Sequence, residues 1–499
     1  MIASSAWLLT VLGVLASVHA AAVTPVEARK IGWPQWMGPA GGGSSLDCGY
    51  DLVEDFTKAR LLWKSEWLPD GRAADGSDRV QDNVSGGFAS PVVADGRVYF
   101  FYYVPSGKVH DARMAAKEYQ YGNGVTKDKW LISADDIVIC LDAATGKTLW
   151  KQVFADKGIN WMAFNKGGPH LTPAVADGKV FAIGTLGRVY ALDAATGKPL
   201  WESNVGKRFT EMEQLKKDCL QTGKLLAFNR DCANHICAAG GAVLVNDNVH
   251  YKVIPPKNPG KGDGWVFHYE SDNGVAALDG ETGKPLWNLP ASLSGTPVRW
   301  YGEGKEYAIF GNKEKVRCVE PRSGKVAWEL AAFSTGASLA VTGEYLLCGV
   351  GAAPAEQLAC FRIGPCKAEK LWALGAEIGF PKGKPPVIHR GHAYVQTDNK
   401  QLVCVELASG KIKARVASAT GMGFGMAAEN LLLLQADASH IKPDVLAFSA
   451  APENLKSLGT WVVPAAGCYT VAINHPIVDG QWFLRAKDAI HCYDLRKGK

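Results

Sequence analysis

A ten-residue phrase recurs along this 499-residue chain and limits its fold more than any other feature. It stands as Leu141-Asp142-Ala143-Ala144-Thr145-Gly146-Lys147-Thr148-Leu149-Trp150, returns from Leu192-Asp193 to Trp201, and returns again from Leu278-Asp279 to Trp287. Weaker copies run from Val319-Glu320 to Trp328 and from Val405-Glu406 to Ala414, with looser ones at Phe361 to Trp372 and Leu446 to Trp461. The phrase is a β-hairpin. Alternating residues such as Val189-Tyr190-Ala191-Leu192 make a strand. The acidic side chain folds over its own backbone to shape the turn, and the glycine supplies the positive φ that the turn requires. The returning strand ends in Trp, whose broad apolar face suits packing against a neighbouring unit.

A second phrase precedes each copy of the first. It reads Ser90-Pro91-Val92-Val93-Ala94-Asp95-Gly96-Arg97-Val98-Tyr99, then Thr172-Pro173 to Phe181, with later versions near Gly241, Thr296, Ala337, Pro386, Gly425 and Val471. Each is a strand, a tight turn and a second strand. Two hairpins in series make a four-stranded unit, and units of about 40–50 residues with this content are propeller blades. Seven units are complete. The eighth reaches Ile490-His491-Cys492-Tyr493-Asp494 without an outer strand, whereas Arg60-Leu61-Leu62-Trp63-Lys64 belongs to no hairpin of its own. Pairing these two segments closes an all-β, eight-bladed ring and removes the edges an open array would expose.

The phrase from Tyr190 to Trp201 closely resembles the PQQ (pyrroloquinoline quinone) repeat. That repeat builds the quinoprotein alcohol dehydrogenases and the outer-membrane assembly propellers. The resemblance runs from Trp63 to Asp494, and Trp33-Pro34-Gln35-Trp36-Met37-Gly38-Pro39 looks like the leader of exported, non-haem members of the family. It implies the propeller, and it permits PQQ and calcium as cofactors. Two family features are missing from the sequence: a pair of adjacent cysteines and a Cys-x-x-Cys-His haem motif. The resemblance to a dehydrogenase would need an Asp base for the hydroxyl proton, for which Asp398 and Asp488 are the candidates. No calcium-binding set matches by motif, and no metal ligand is assigned.

Blade geometry divides the loops between two faces. The first-to-second and third-to-fourth turns share one face and are short throughout, as at Ala94-Asp95-Gly96. The second-to-third turns and the links between blades share the other. The long insertions 105–136, 207–237 and 252–273 all fall on that second face, which makes it the expected binding face. Trp161, Asn165, Lys166, His170, Asn312, Asn399 and Arg485 are its candidate ligand contacts. Taken singly, each reads better as a solvated loop or packing residue, and the ligand reading rests on their convergence around the ring.

Twelve cysteines in an exported chain invite a disulfide framework. Their register argues otherwise. Cys140, Cys318, Cys404 and Cys492 each stand two residues before the acidic repeat residue, a slot that Ala191 and Ala277 fill elsewhere, and Cys360 fits the looser copy. A slot shared by Ala and Cys is small, apolar and buried, and its occupants lie about a blade apart, too far to bridge. Cys219, Cys232 and Cys237 share one insertion, with Cys232–Cys237 the candidate disulfide.

The remaining signals concern location and partners. Ala6 to Val18 is an apolar run followed by small residues, which reads as a signal peptide over residues 1–20, cleaved near Ala20. Residues 21–59 are then a leader and 60–499 the propeller. Thirteen apolar residues are short for a bilayer span, and no later segment is long enough. The composition, 47% hydrophobic and 21% charged, is that of a foldable chain, and a net charge of +5 without a basic run gives no reason to expect nucleic acid. The expectation is a periplasmic or secreted monomer, acting as a binding or scaffold propeller. Its partner would be an envelope protein, a glycan or a small polar ligand. The alternative is a soluble PQQ- and calcium-dependent dehydrogenase oxidising an alcohol or sugar.

Overall fold

The computed structural model describes residues 32–39, 45–68, 89–110, 130–159, 171–204, six positions between 213 and 221, 235–246, 251–254, 266–269, 274–290, 296–312, 314–333, 339–351, 355, 357–375, 378, 385–397, 400–417, 422–436, 444–462, 474–486 and 489–498. These form eight four-stranded antiparallel sheets and one two-stranded hairpin, Tyr251–Ile254 with Val266–Tyr269. Blade I comprises Val92–Ala94, Arg97–His110, Trp130–Asp142 and Thr148–Ile159. Blade II comprises Ala174–Ala176, Lys179–Ile183, Arg188–Asp193 and Pro199–Asn204, and blade III Cys237–Ala239, Ala242–Asn246, Gly274–Asp279 and Pro285–Pro290. Blades IV to VII lie within 298–330, 340–374, 387–417 and 422–462. Blade VIII joins Ile477–Val478, Gln481–Arg485 and Ile490–Asp494 to Arg60–Lys64. From blade I through blade VII the first strands of successive blades touch one another, so they line the axis.

The ring closes as the sequence predicts. Arg60 pairs with Asp494, Leu61 with Tyr493, Trp63 with Cys492 and Lys64 with His491. The repeat turn is also built as expected. Asp142 Oδ1 accepts from the Thr145 amide at 2.8 Å and the Thr145 hydroxyl at 2.7 Å. Asp193 with Thr196 and Asp279 with Thr282 repeat the arrangement. These hydrogen bonds hold Asp142 and Asp193 below the ordinary carboxylate range, the Thr hydroxyl contributing most. Where the acid is Glu320, Ser323 donates to it instead.

The small slot and the tryptophan explain each other. Cys140 stands across from Trp150, Ala191 from Trp201, Ala277 from Trp287, Cys318 from Trp328, Cys360 from Trp372 and Cys492 from Trp63. The five slot cysteines, Cys404 included, are free and buried, and burial pushes the Cys140, Cys360 and Cys404 thiols up to about 12. Each tryptophan reaches into the next blade, its indole N–H donating to a turn carbonyl: Trp63 to Ala143, Trp150 to Ala194, Trp201 to Gly280, Trp287 to Pro321, Trp328 to Gly364 and Trp372 to Leu407, at 2.7–3.1 Å. The Ala194 carbonyl also accepts from the Tyr99 hydroxyl at 3.2 Å. Trp150→Phe therefore removes one net hydrogen bond without orphaning its acceptor, and should lower the urea midpoint by the equivalent of about 1 kcal/mol.

Two joints depart from this plan. Ala414 replaces the tryptophan in blade VI, and a 3₁₀ turn at Pro452–Asn454 of blade VII packs against that outer strand, with Lys413 pairing Glu453 at 2.5 Å. The longer turn also corrects the expected place of Trp461. It stands across from Val445, and Gly459 takes the position opposite the slot residue Ala447. Phe56, from the segment ahead of the ring, fills the joint between VII and VIII, its ring centroid 5.4 Å from Trp461, 6.0 Å from Trp482 and 5.1 Å from Tyr493.

Phe56 belongs to a longer strap on the short-turn face. Leu46 N–H donates to the Ala427 carbonyl, Leu52 exchanges hydrogen bonds with the Asn430 side chain, and Val53 N–H donates to Leu495. Arg390 pairs with both Asp47 and Glu429, drawing blades VI and VII to the strap. Upstream, residues 32–39 are buried at every position and lie against the axial strands. Trp33 and Val93 exchange backbone hydrogen bonds at 2.6 and 2.9 Å, and the Val175 amide donates to the Pro34 carbonyl at 2.7 Å.

Candidate functional site at the axis and the loop face

The residue two places before each axial strand sits where the loop face meets the channel. In five neighbouring blades it is polar: His475 in VIII, Ser90 in I, Thr172 in II, His235 in III and Thr296 in IV, all buried. Three hydrogen bonds run along this belt from blade VIII to blade III. The Asn474 amide donates to Ser90 Oγ at 2.8 Å, the Ser90 amide to Thr172 Oγ1 at 2.9 Å, and the Thr172 amide to His235 Nδ1 at 3.4 Å. The last bond makes Nδ1 an acceptor and leaves the proton on Nε2. This belt was readable in part from the sequence, since Ser90-Pro91, Thr172-Pro173, Thr296-Pro297 and His475-Pro476 share one register. The second phrase directs attention to the strands, and the residue before the proline passes as a strand start.

The leader meets the belt from below. Trp36 stacks on His235 with centroids 4.0 Å apart and planes 8° from parallel, and Asn474 Nδ2 lies 3.0 Å from Met37 Sδ. The belt and leader tip offer hydroxyl, amide, imidazole, indole and thioether groups, with no carboxylate and no Lys or Arg among these described residues. PQQ is a tricarboxylate and calcium takes six to eight oxygen ligands, usually with carboxylates among them. The described axial groups do not fit either. Among the described residues there is also no cluster of three His, Cys, Asp or Glu suited to a metal.

Arg485 is buried under the loop face, its guanidinium 5.1 Å from the Phe100 ring centroid between blades VIII and I. Beside it His475 is driven down to about 3, by burial first and by the Arg485 charge second. Asn312 accepts from the Glu314 and Lys315 amides at 2.8 and 2.7 Å and so shapes its own turn. Arg485 and Asn312 are the two expected ligand contacts that fall within the described residues. Trp161, Asn165, Lys166, His170, Asp398, Asn399 and Asp488 lie outside the described residues.

The 207–237 insertion needs one correction. Cys237 is the first residue of the axial strand of blade III, four residues ahead of the expected strand start near Gly241, because the turn of this blade is Gly240-Gly241 with both glycines at positive φ. Cys237 is a buried free thiol pushed up to about 12 by desolvation. Its candidate partner Cys232 lies outside the described residues.

Among the described residues the loop face carries two built projections, a two-stranded hairpin of Tyr251–Ile254 with Val266–Tyr269 and the longer extension of blade I. The second, third and fourth strands of blade I are 14, 13 and 12 residues long, where those of blade II are 5, 6 and 6. Lys216, from the 207–237 insertion, binds the blade I projection through the Asp156 carbonyl at 2.8 Å and carboxylate at 2.9 Å. Below it lies Asp136, fully buried between blades I and II. Its Oδ1 accepts from the Thr185 hydroxyl at 2.8 Å and amide at 3.2 Å, and its Oδ2 from the Tyr190 hydroxyl at 2.9 Å. Burial nonetheless raises Asp136 to about 6. Gly158 and Gly184 make room for it, since a Cβ at either would fall 2.6 or 2.1 Å from its oxygens.

The opposite face holds a cavity of about 300 Å³ between the short turns of blades I to IV, bordered by Pro34, Asp95, Asp177, Lys179, Glu281, Arg299 and Glu306. Its cations are already engaged, Lys179 with Glu281 at 2.6 Å and Arg299 with Glu306 at 3.5 Å.

Known proteins repeat this architecture. The family model described as outer membrane protein assembly factor BamB matches residues 134–345. A quinohemoprotein alcohol dehydrogenase, ADH IIB of Pseudomonas putida, is 27% identical over 174 residues, which are 33% of this chain and 20% of that protein. The outer membrane protein assembly factor BamB of Shewanella oneidensis is 28% identical over 179 residues, 33% of this chain and 44% of that protein. The chain therefore spans less than half the length of either curated relative. The solved quinohemoprotein alcohol dehydrogenase ADHIIG of Pseudomonas putida HK5 superposes with a TM-score of 0.50 at 12% identity, over 96% of this chain and 83% of that one. With the docking tryptophans, the acidic turns and eight four-stranded blades in place, the chain is an eight-bladed β-propeller, and the comparisons support a place among the PQQ-repeat propellers.

Proposed function

We propose that this chain is a non-catalytic binding or scaffold propeller of the periplasm or cell envelope, exported by a signal peptide cleaved near Ala20, whose partner is an envelope protein held on the loop face. The observation that carries this reading is the projection of blade I: strands twice the usual length extend one sheet past the ring, and a second insertion is anchored to it by Lys216. A rigid scaffold that elaborates one face places its recognition there. The relative whose name describes an assembly factor supports a protein partner over a glycan or a small polar ligand. A PQQ- and calcium-dependent dehydrogenase is the second reading. The described belt and leader tip hold no carboxylate, Lys or Arg of their own for such a cofactor pair, and the charge beside them is the buried Arg485.

Replacing residues 111–129, which join the second and third strands of blade I in sequence, with a short Gly-Ser turn tests the first reading. Crosslinking of the mature protein in envelope membranes should lose its adduct, with the thermal midpoint changed by less than ~2 °C. An unchanged adduct would remove the loop face from the proposal.

A further inference from the structure

We infer that Trp33–Pro39 is the resident occupant of the propeller axis, holding the channel shut against a quinone or any ligand of that size. The inference does not depend on the identity of the loop-face partner. It rests on where the seven residues touch. Trp33 and Pro34 pair through their backbones with the axial strands of blades I and II. Gln35 Oε1 accepts from the Ala238 amide of blade III at 3.3 Å, and Arg299 of blade IV donates to the Pro39 carbonyl at 3.2 Å. Met37 meets Asn474 of blade VIII. Blades IV and VIII stand opposite each other in an eight-membered ring, so contacts to both carry the segment across the channel.

The segment is also shaped to be an occupant. Gly38 N–H closes a tight turn on the Gln35 carbonyl at 3.1 Å, with Met37 and Gly38 both at positive φ. A Cβ on Gly38 would come within 3.3 Å of the Trp33 indole, so the glycine lets the two ends of the turn fold together. The turn presents Trp36 to His235 at the loop-face end, and Trp33 is fully buried at the other. Axial strands of a propeller leave their inner edges without a sheet partner, and here the leader supplies hydrogen bonds to the backbone of three of them. An incoming planar ligand would have to replace these bonds, the indole stack and the burial of two tryptophans together.

The test keeps the full chain. Residues 41–44 are replaced by a four-residue protease site, and the folded protein is cut and passed through gel filtration. The N-terminal fragment should co-elute with the ring in one-to-one ratio, and PQQ with calcium should leave the uncut protein without bound quinone after the column. A fragment that separates from an intact ring, or quinone retained by the uncut protein, would overturn the inference. Gln35→Cys gives a second measurement that needs no cleavage. Its thiol, mapped by mass spectrometry after treatment with a maleimide, should react only on unfolding, whereas native-state labelling as fast as that of the exposed Cys366 would overturn the inference as well.

Discussion

Gly197→Ala should lower the stability of the ring by about 3 kcal/mol, and Gly178→Ala by about 1 kcal/mol. Both glycines have nearly the same backbone, φ +73° and +69°, so both substitutions carry the same left-handed strain. They differ in what a methyl group would meet. At Gly178 nothing lies within 4 Å, whereas at Gly197 the new Cβ would fall 2.5 Å from the Trp150 ring. That ring is held by a hydrogen bond to Ala194 and backed by Tyr99, so it has little freedom to retreat. Paired urea titrations read the difference between the two variants, which isolates the docking contact from the backbone cost. Equal losses would mean that the glycine is chosen for φ alone and the close approach of tryptophan is incidental. The same crowding recurs at Gly146 against Trp63, Gly283 against Trp201 and Gly410 against Trp372.

The second large effect is set by Asp136. Its folded pKa, raised by burial to about 6, lies above the ordinary 3.8. The folded state therefore binds the proton more tightly than the unfolded chain, and stability falls as pH rises between about 4 and 6. The ionised carboxylate lowers stability by up to ~3 kcal/mol above that window, and acidification to pH 5 recovers part of it. Asp136→Asn should remove this dependence and leave the protein at least as stable at pH 7.5, since the amide oxygen still accepts from Thr185 and the Tyr190 hydroxyl turns to accept from the amide NH₂. Asp136→Ala should cost more than about 3 kcal/mol at every pH, because it strands the Thr185 amide and both hydroxyls in a dry joint. Urea midpoints of the wild type and both variants at pH 5 and 7.5 decide the matter. A wild type whose difference from Asp136→Asn does not change with pH would refute the raised pKa.

The blade plan was legible because each of its parts is a local physical requirement repeated many times. Leu141–Trp150 contains the acid that shapes the turn, the glycine that admits the neighbouring indole, and the small residue across from the tryptophan. Closure was legible for the opposite reason, since Arg60–Lys64 fits nowhere else. The position of Trp461 was not, because a 3₁₀ turn of three residues moves the register of the outer strand and no single residue announces it. The start of blade III was missed for a similar reason: His235-Ile236-Cys237 has no Ser-Pro or Thr-Pro to mark it. Arg485 shows the limit for sites. A lone Arg in a loop pattern gives no sign of whether it faces water, and here it packs on Phe100. The leader carried its role in Trp33 and Trp36, yet two aromatic residues ahead of a fold name no partner until the ring exists for them to fill.

Ring closure also has a consequence in time. Arg60 and its partner Asp494 are 434 residues apart, so the first strand made is the last to find its place. Until the C-terminal end emerges, Trp63 has no blade of its own from which to dock, and Phe56 has no Tyr493 to rest against. The nascent chain can form hairpins and whole blades one after another, but the circle is a single late event. A stop anywhere before Ile490 would leave every finished blade in an open arc with two raw edges, and such a product is one that proteases and aggregation remove.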